Sequence, residues 1–154
     1  MSRITLRYIF EGDRENVYDL LLDPNVMEFL GPRRPLLAEE AKEWFDSEIE
    51  SPSRYVVASK SSDELIGFCG IKETEGVLDF GYFLRKKYWG KGYATEACAL
   101  ALDKLSNKVD LNSIEIFIAS NNLASQSVAN KLGWSIIEET TKNGEIGYLY
   151  AVNM

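Results

Sequence analysis

The segment LRKKYWGKGYATEA, residues 84–97, joins an aromatic strand to a helix of small residues. Its glycines, Gly90 and Gly92, release the backbone from the limits that a Cβ imposes, so consecutive N–H groups can turn toward one point. That point is the first turn of the following helix, where unpaired N–H groups and the helix dipole favour negative charge. The segment therefore predicts an anion site suited to a pyrophosphate, and Lys91 adds positive charge beside it.

Two other glycine-rich phosphate loops fit this segment poorly. A dinucleotide fingerprint G-x-G-x-x-G would use Gly90 and Gly92, but Thr95 stands where the third glycine belongs. A Walker-type loop requires a lysine directly after its second glycine, whereas Lys91 lies between the two glycines. A solvated basic turn that happens to contain two glycines remains an alternative.

Composition limits the possible classes of protein. A chain of 154 residues with 45% hydrophobic and 27% charged residues is predicted to form a single domain over residues 1–154. The net charge of −7 disfavours nucleic acid as a partner, and no apolar run is long enough to span a membrane. The chain begins in a strand pattern rather than a signal peptide, which predicts a cytoplasmic location. A monomer or homodimer is expected. No histidine is present and Cys69 and Cys98 lack ligand spacing, so no metal is expected.

Hydrophobic periodicity predicts an α+β fold in the order β-α-α-β-β-β-α-β-α-β-β, with a mixed, mostly antiparallel sheet of about seven strands and about four helices. Asp13 is predicted to cap the first helix and Gly133 to end the last one. Asn143-Gly144 predicts a tight hairpin turn near the C-terminus. The predicted strands cover residues 4–10, 54–60, 65–73, 77–84, 113–120, 134–141 and 145–152, and the later helices cover residues 38–50, 93–108 and 123–133.

Two motifs carry a resemblance to a known family. YFLRKKYWGKGYATEA, residues 82–97, is similar to the acetyl-CoA signature [QR]-x-x-G-x-[GA] of the GNAT superfamily of N-acetyltransferases, with Trp89 in the first position. ASNNLASQSVANKLGW, residues 119–134, resembles the segment N-x-x-S-x-x-[VL]-x-x-x-x-G-[FW] of the RimJ/RimL-like branch. Together with the order of elements, the resemblance covers almost the whole chain and implies a single GNAT-like domain.

This resemblance implies how the chain would hold acetyl-CoA. The pantetheine arm would pair with the backbone of the strand that ends in GYFL, and the pyrophosphate would lie on the glycine loop. A backbone N–H near Phe83 would polarise the acetyl carbonyl. The cofactor-binding residues implied are Tyr82, Phe83, Leu84, Trp89, Gly90, Lys91, Gly92, Tyr93, Ala94, Thr95, Asn122 and Ser125. Asn122 could equally be a helix N-cap, and Ser125 an ordinary first-turn hydroxyl.

Catalysis additionally requires a base for the ammonium and a donor for the departing thiolate. Asp79, in DFGY, is the favoured base because the branch often carries an acidic residue before this motif. A structural ion pair is the alternative role for Asp79, and Glu73, Glu75, Glu115 or water are alternative bases. Many family members use a tyrosine as acid at the position that is Ala129 here, so Ser125 is the expected donor to the sulfur.

The resulting hypothesis is an N-acetyltransferase that moves an acetyl group from acetyl-CoA directly to a primary amine, without a metal. The partner would be a small-molecule amine or a protein N-terminus. The overall acidity favours a polyamine acetyltransferase as one alternative, particularly if the acidic residues of 38–50 line the pocket mouth. A catalytically idle acyl-CoA-binding or regulatory domain is the other, because the usual tyrosine is missing.

Overall fold

In the computed structural model, which describes residues 2–152, seven strands form one sheet in the order β1-β2-β3-β4-β5-β7-β6. Neighbouring strands are antiparallel except β4 and β5, which are parallel. The strands are β1 (Ile4–Arg7), β2 (Tyr55–Ser59), β3 (Leu65–Thr74), β4 (Val77–Leu84), β5 (Ile114–Ala119), β6 (Ser135–Lys142) and β7 (Glu145–Ala151). The predicted mixed, mostly antiparallel α+β sheet is confirmed.

Four α-helices among the described residues cover the two faces of the sheet: α1 (Arg14–Leu21), α2 (Ala38–Glu50), α3 (Tyr93–Leu105) and α4 (Leu123–Leu132). Helices α1 and α2 bury Val17, Leu20 and Phe45 against one face. Helix α3, with Ala129 of α4, packs against the other face. Alternating residues of β2 and β4 point into these two cores, as the period of a strand requires. None of the helices in residues 2–152 has the length and apolarity needed to cross a membrane.

The parallel strands β4 and β5 diverge soon after they meet. Across the described residues they pair only at Leu78 with Ile114 and Asp79 with Glu115. The rest of β4, residues 80–84, stays paired with β3 on one side but has no β5 partner on the other. Backbone polar groups at an open strand edge can accept an extended ligand as an added strand. The fold therefore opens a cleft between β4 and β5 that reaches the start of α3 and α4.

Several predicted boundaries differ from the structure. Strand β1 ends at Arg7 rather than residue 10, because the chain turns there. The Asp13 carboxylate accepts hydrogen bonds from both terminal nitrogens of Arg7 and from the Phe10 N–H. Asp13 does occupy the N-cap position of α1, but its side chain makes no capping bond to that helix. Helix α3 stops at Leu105 instead of residue 108.

The C-terminal hairpin has the tight turn that its sequence predicts. Asn143 and Gly144 have φ values of 49° and 83°, the left-handed pair that a tight two-residue turn requires. Strand β7 of this hairpin pairs with β5, which places β6 at the edge of the sheet. The turn thereby lies on the side of the cleft, close to the segment between α1 and α2.

Candidate active site

A groove of about 620 Å³ extends from the open edge of β4 to the glycine loop and the start of α4. It contains every predicted cofactor-binding residue except Lys91, whose side chain does not line it. The lining residues from the prediction are Tyr82, Phe83, Leu84, Trp89, Gly90, Gly92, Tyr93, Ala94, Thr95, Asn122 and Ser125. Asn25, Val26, Glu28, Phe29 and Leu30 form the opposite wall.

The glycine loop has the backbone geometry of an anion cradle. Gly90 and Gly92 have φ values of 74° and 82°, which disfavour any residue with a Cβ. Gly92 is the N-cap of α3, so the first N–H groups of that helix lack helical partners and open toward the groove. The Trp89 indole Nε1 donates to the Leu84 carbonyl at 2.9 Å, which fixes the loop against the end of β4. Trp89 thus has a structural contact besides lining the groove.

The start of α4 presents two polar side chains beside the open strand edge. The Asn122 side-chain oxygen accepts from the Ser125 N–H at 3.3 Å and caps α4. Helix α4 then ends at Gly133, which adopts a left-handed φ of 74°, as its sequence predicts. Asn122 is therefore an N-cap that also faces the groove, and capping holds Ser125 in the first turn of the helix.

The hydroxyl of Tyr82 is buried beside Ser125 without completing a hydrogen bond to any described residue. Burial raises the pKa of the Tyr82 phenol well above its usual range, and interaction with the Ser125 hydroxyl offsets part of that effect. The phenol therefore stays protonated at neutral pH and can donate a hydrogen bond. Tyr82, to which the sequence assigned only a backbone role, also places a buried phenol against Ser125.

A second cavity of about 480 Å³ lies on the other side of the same residues. It shares part of its lining with the groove: Phe29, Leu30, Tyr82, Phe83, Asn122 and Ser125. From there it extends along β4 toward Asp79 and between the loop at residues 29–33 and the hairpin turn. Two separate spaces thus meet at one short stretch of β4 and the start of α4.

Asp79 lines this second cavity in an ion pair with Arg54. No register shift interrupts the β3–β4 pairing, so Asp79 lies on the same face of β4 as Gly81 and Phe83. The Arg54 Nη2 atom donates to the Asp79 carboxylate at 2.9 Å, while Arg54 Nε donates to the Gly70 carbonyl. The Asp79 side chain keeps 45% of its surface exposed, against 16% for Arg54. Water can therefore reach the carboxylate despite the ion pair.

Arg54 is a largely buried cation that sequence reasoning missed. Desolvation lowers the pKa of Arg54, an effect opposed by the charge of Asp79, but a guanidinium stays protonated in proteins. A Cβ on Gly81 would lie 3.0 Å from Arg54 Nη2, so the glycine leaves the guanidinium room to lie against β4. Arg54 and Asp79 are 25 residues apart, so no short sequence motif predicts their ion pair.

Two segments that are distant in sequence meet at the outer wall of the cavity. Arg33 Nη2 lies 2.7 Å from the Glu145 carboxylate, which ties the loop after α1 to the hairpin turn. This contact lowers the pKa of Glu145, mainly through the hydrogen bond from Arg33. Lys72 and Lys142 also line the cavity, and neither forms an ion pair within residues 2–152. The cavity is therefore bounded by a bridge between the two segments.

The described residues contain no group of three side chains that could hold a metal ion. The two cysteines lie side by side in the core, with their sulfur atoms 4.0 Å apart and away from both cavities. Burial raises the pKa of the Cys98 thiol, which keeps it protonated and unreactive.

Comparison with protein-family models identifies the class of protein. The model for the acetyltransferase (GNAT) domain matches residues 3–135, which is most of the chain. The chain therefore belongs to the GNAT acetyltransferase family, and its seven-stranded sheet with four helices is the fold of that family.

Individual relatives agree with this assignment. The uncharacterised protein YkkB of Bacillus subtilis strain 168 is 30% identical over 142 residues, covering 86% of this chain and 81% of the relative. The uncharacterised N-acetyltransferase p20 of Bacillus licheniformis is 29% identical and covers 86% of this chain and 79% of its own length.

Solved structures show the same fold at lower identity. A GNAT-family acetyltransferase from Bacillus anthracis superposes with a TM-score of 0.79 at 23% identity, over 97% of this chain and 92% of that one. Spermidine N-acetyltransferase from Vibrio cholerae, in complex with CoA and spermine, gives a TM-score of 0.73 at 22% identity, over 97% and 94% of the chains.

Proposed function

We propose that this chain is an acetyl-CoA-dependent N-acetyltransferase that moves the acetyl group directly to a primary amine in a ternary complex. The observation that carries the proposal is the meeting of two cavities beside the open edge of β4. The first cavity leads to the glycine loop, whose N–H groups can bind an anion, and the second leads to the Asp79 carboxylate. A thioester entering from the first and an amine entering from the second would come together at Tyr82 and Phe83. The second sequence motif further favours the RimJ/RimL-like branch.

The groove suits acetyl-CoA in both shape and polarity. The free edge at residues 80–84 offers backbone partners to the amide groups of a pantetheine arm. The left-handed glycines and the start of α3 offer N–H groups to the pyrophosphate. Gly90 has open space where a Cβ would stand, as expected of a loop that a ligand approaches closely. When bound, acetyl-CoA would supply the acetyl group as an activated thioester.

Each protein group then has a role in the transfer. The amine nitrogen bonds to the acetyl carbonyl carbon while the carbon–sulfur bond breaks, and a backbone N–H near Phe83 stabilises the charge on the carbonyl oxygen. Asp79 takes the amine proton through a chain of water molecules along the cavity, since its carboxylate is half-exposed on the cavity wall. Ser125 donates to the departing sulfur. The buried Tyr82 phenol stands beside Ser125 as a second donor, in a site where the residue at 129 is alanine.

Release of free thiol from acetyl-CoA, measured with a panel of amines, tests this proposal. We expect amine-dependent thiol release together with an equimolar amount of N-acetylated product. The alternative, a catalytically idle acyl-CoA-binding domain, would bind CoA by isothermal titration calorimetry and show no amine-dependent turnover. Failure to bind either CoA or acetyl-CoA would overturn both.

Ser125→Ala should lower kcat by about tenfold while the Kd for acetyl-CoA stays near that of the unmodified protein. A hydrogen bond to a developing thiolate is stronger in the transition state than in the ground state, and such a bond is worth roughly 1.5–3 kcal/mol. Tyr82→Phe combined with Ser125→Ala should lower kcat further, because both donors are then lost. Steady-state kinetics and calorimetry with acetyl-CoA give the two quantities.

Ser127→Ala is the matched control for this pair. Ser127 lies on the same helix and lines the groove, but it is absent from the region that the two cavities share. The role of Ser125 is disproved if its alanine variant keeps full kcat or if the Ser127 variant loses as much.

Treatment with a chelator should leave the rate unchanged. The proposed steps use a backbone N–H, a carboxylate and hydroxyl groups, and the sequence has no histidine to anchor a zinc ion. The measurement is thiol release before and after dialysis against EDTA, followed by addition of Mg²⁺ or Zn²⁺. A rate that disappears on dialysis and returns with one of these ions would refute the prediction.

A further inference from the structure

The acceptor cavity is positively charged although the whole chain carries a net charge of −7. Of its charged lining residues in the described part of the chain, four are cations and one is a carboxylate, Asp79. The cations are Arg33, Arg54, Lys72 and Lys142. When Glu145, the partner of Arg33, and the buried Glu48, whose charge acts on Arg54, are counted with Asp79, one positive charge remains uncompensated.

The acidic residues that dominate the sequence lie elsewhere. Helix α2 contributes only Trp44 to the cavity, so its acidic face does not line the mouth. Glu40 pairs with Arg34, and Asp46 pairs with Lys42 and Arg14, at the protein surface. Whole-chain acidity therefore does not describe the charge that an acceptor amine would meet in the cavity.

Arg54 retains hydrogen-bonding capacity inside this cavity. A guanidinium has five N–H donors, and Arg54 uses one for Gly70 and one for Asp79. Three donors consequently have no partner among residues 2–152, although the side chain is only 16% exposed. No nitrogen atom of Arg54 is both buried and without a partner, so its spare donors reach solvent in the cavity and can donate to an anion there. Lys72 lies directly across from Asp79 in the β3–β4 register, so it adds a second cation at the same end of the cavity.

From these charges we propose that the acceptor is a small primary amine that carries a carboxylate, phosphonate or phosphate group. The inference rests on the proposed acetyl transfer and identifies its substrate class. The amine reaches the point where the two cavities meet, and the anionic group pairs with Arg54 and Lys72. The bridge between Arg33 and Glu145 bounds the cavity on its outside and favours a small molecule over a polypeptide terminus. A polyamine would bring further positive charge against these cations.

The strand geometry sets the approximate length of this molecule. The Arg54 guanidinium lies against Gly81, which is two residues from Phe83, roughly 7 Å along β4 at about 3.3 Å per residue. A chain of about four carbon atoms between amine and anion therefore fits between the transfer point and the cations.

Three amines of equal length and different charge test the proposal: 4-aminobutyrate, 4-aminobutanamide and putrescine. We expect kcat/KM to fall in that order by roughly ten- to hundredfold from the anion to the cation, as loss of charge-assisted hydrogen bonds implies. 3-Aminopropylphosphonate separates the two anion types: activity above that with 4-aminobutyrate assigns the cavity to phosphonate or phosphate, and lower activity assigns it to carboxylate. Equal values for the three amines, or a preference for putrescine or spermidine, would overturn the inference while leaving acetyl transfer intact.

Binding of the acetylated products gives a readout that needs no turnover. Calorimetry of the CoA-saturated protein with N-acetyl-4-aminobutyrate, its amide and N-acetylputrescine should show tighter binding of the anion. If this order holds without any turnover, the charge preference stands and the proposed transferase activity fails. If none of the three binds, or the cation binds best, the inference is wrong.

Reversal of the charge at Lys72, which lines the cavity across from Asp79, checks which residues are responsible. Lys72→Glu should raise KM for 4-aminobutyrate at least tenfold and lower it for putrescine. Lys60→Glu is the matched control, because Lys60 is exposed and lines neither cavity. An unchanged ratio between the KM values for the two amines in the Lys72 variant would contradict the assignment.

Discussion

Replacement of Gly92 by valine is expected to raise the Kd for CoA at least about a hundredfold in a protein that still folds. Gly92 adopts a φ of 82° at the N-cap of α3, a conformation that a β-branched residue strongly disfavours. A valine there would shift the N–H groups of the cradle away from the positions that the left-handed glycine gives them, and its Cβ would lie 3.6 Å from Arg3 Nη2. Each charge-assisted hydrogen bond is worth roughly 1.5–3 kcal/mol, so loss of one or two accounts for the factor.

Strain at a left-handed position must be separated from loss of the cradle. Gly76 has a φ of 81° in the β3–β4 turn, faces open space and lies outside both cavities, so Gly76→Val imposes similar strain without touching the groove. Both variants should lose thermal stability, but only the Gly92 variant should lose affinity for CoA. Calorimetry with CoA and the melting temperature of each variant make the comparison. The cradle is refuted if folded Gly92→Val binds CoA normally.

Features that depend on neighbouring residues could be predicted from the sequence. Asn143-Gly144 predicts its turn because both residues tolerate a positive φ, and Gly133 ends α4 for the same reason. Helix α2 begins and ends where periodicity places it, at residues 38 and 50. The glycine loop combines two such local rules, a flexible backbone and a helix start, so its geometry was also predictable.

The acceptor cavity could not be predicted, because its walls come from contacts between distant residues. Arg33 and Glu145 are 112 residues apart, and they meet only because β7 lies beside β5 and brings the hairpin turn toward the loop. The hydrophobic pattern of each strand does not indicate that the strands lie in the order β5-β7-β6 in the sheet. The net charge of the chain also failed to predict the charge of the cavity, because most of the acidic residues lie on surfaces outside it.

Asp79→Asn is expected to lower kcat by roughly a hundred- to ten-thousandfold, the range typical for loss of a general base. The amide preserves the size of the side chain and its exposure to water but cannot accept the proton of the ammonium group. Steady-state kinetics with acetyl-CoA and a saturating amine give kcat for both proteins.

Two controls distinguish a base from a structural ion pair. Arg54→Gln breaks the same ion pair but leaves the carboxylate, so it should raise KM for an anionic amine and change kcat much less than Asp79→Asn does. Glu115→Gln makes the same chemical change at the residue that pairs with Asp79 on β5, outside both cavities, and should be nearly silent. If Asp79→Asn and Arg54→Gln lose kcat equally, the ion pair positions the site and another group takes the proton. A large loss of kcat in Asp79→Asn alone would identify Asp79 as the group that accepts it.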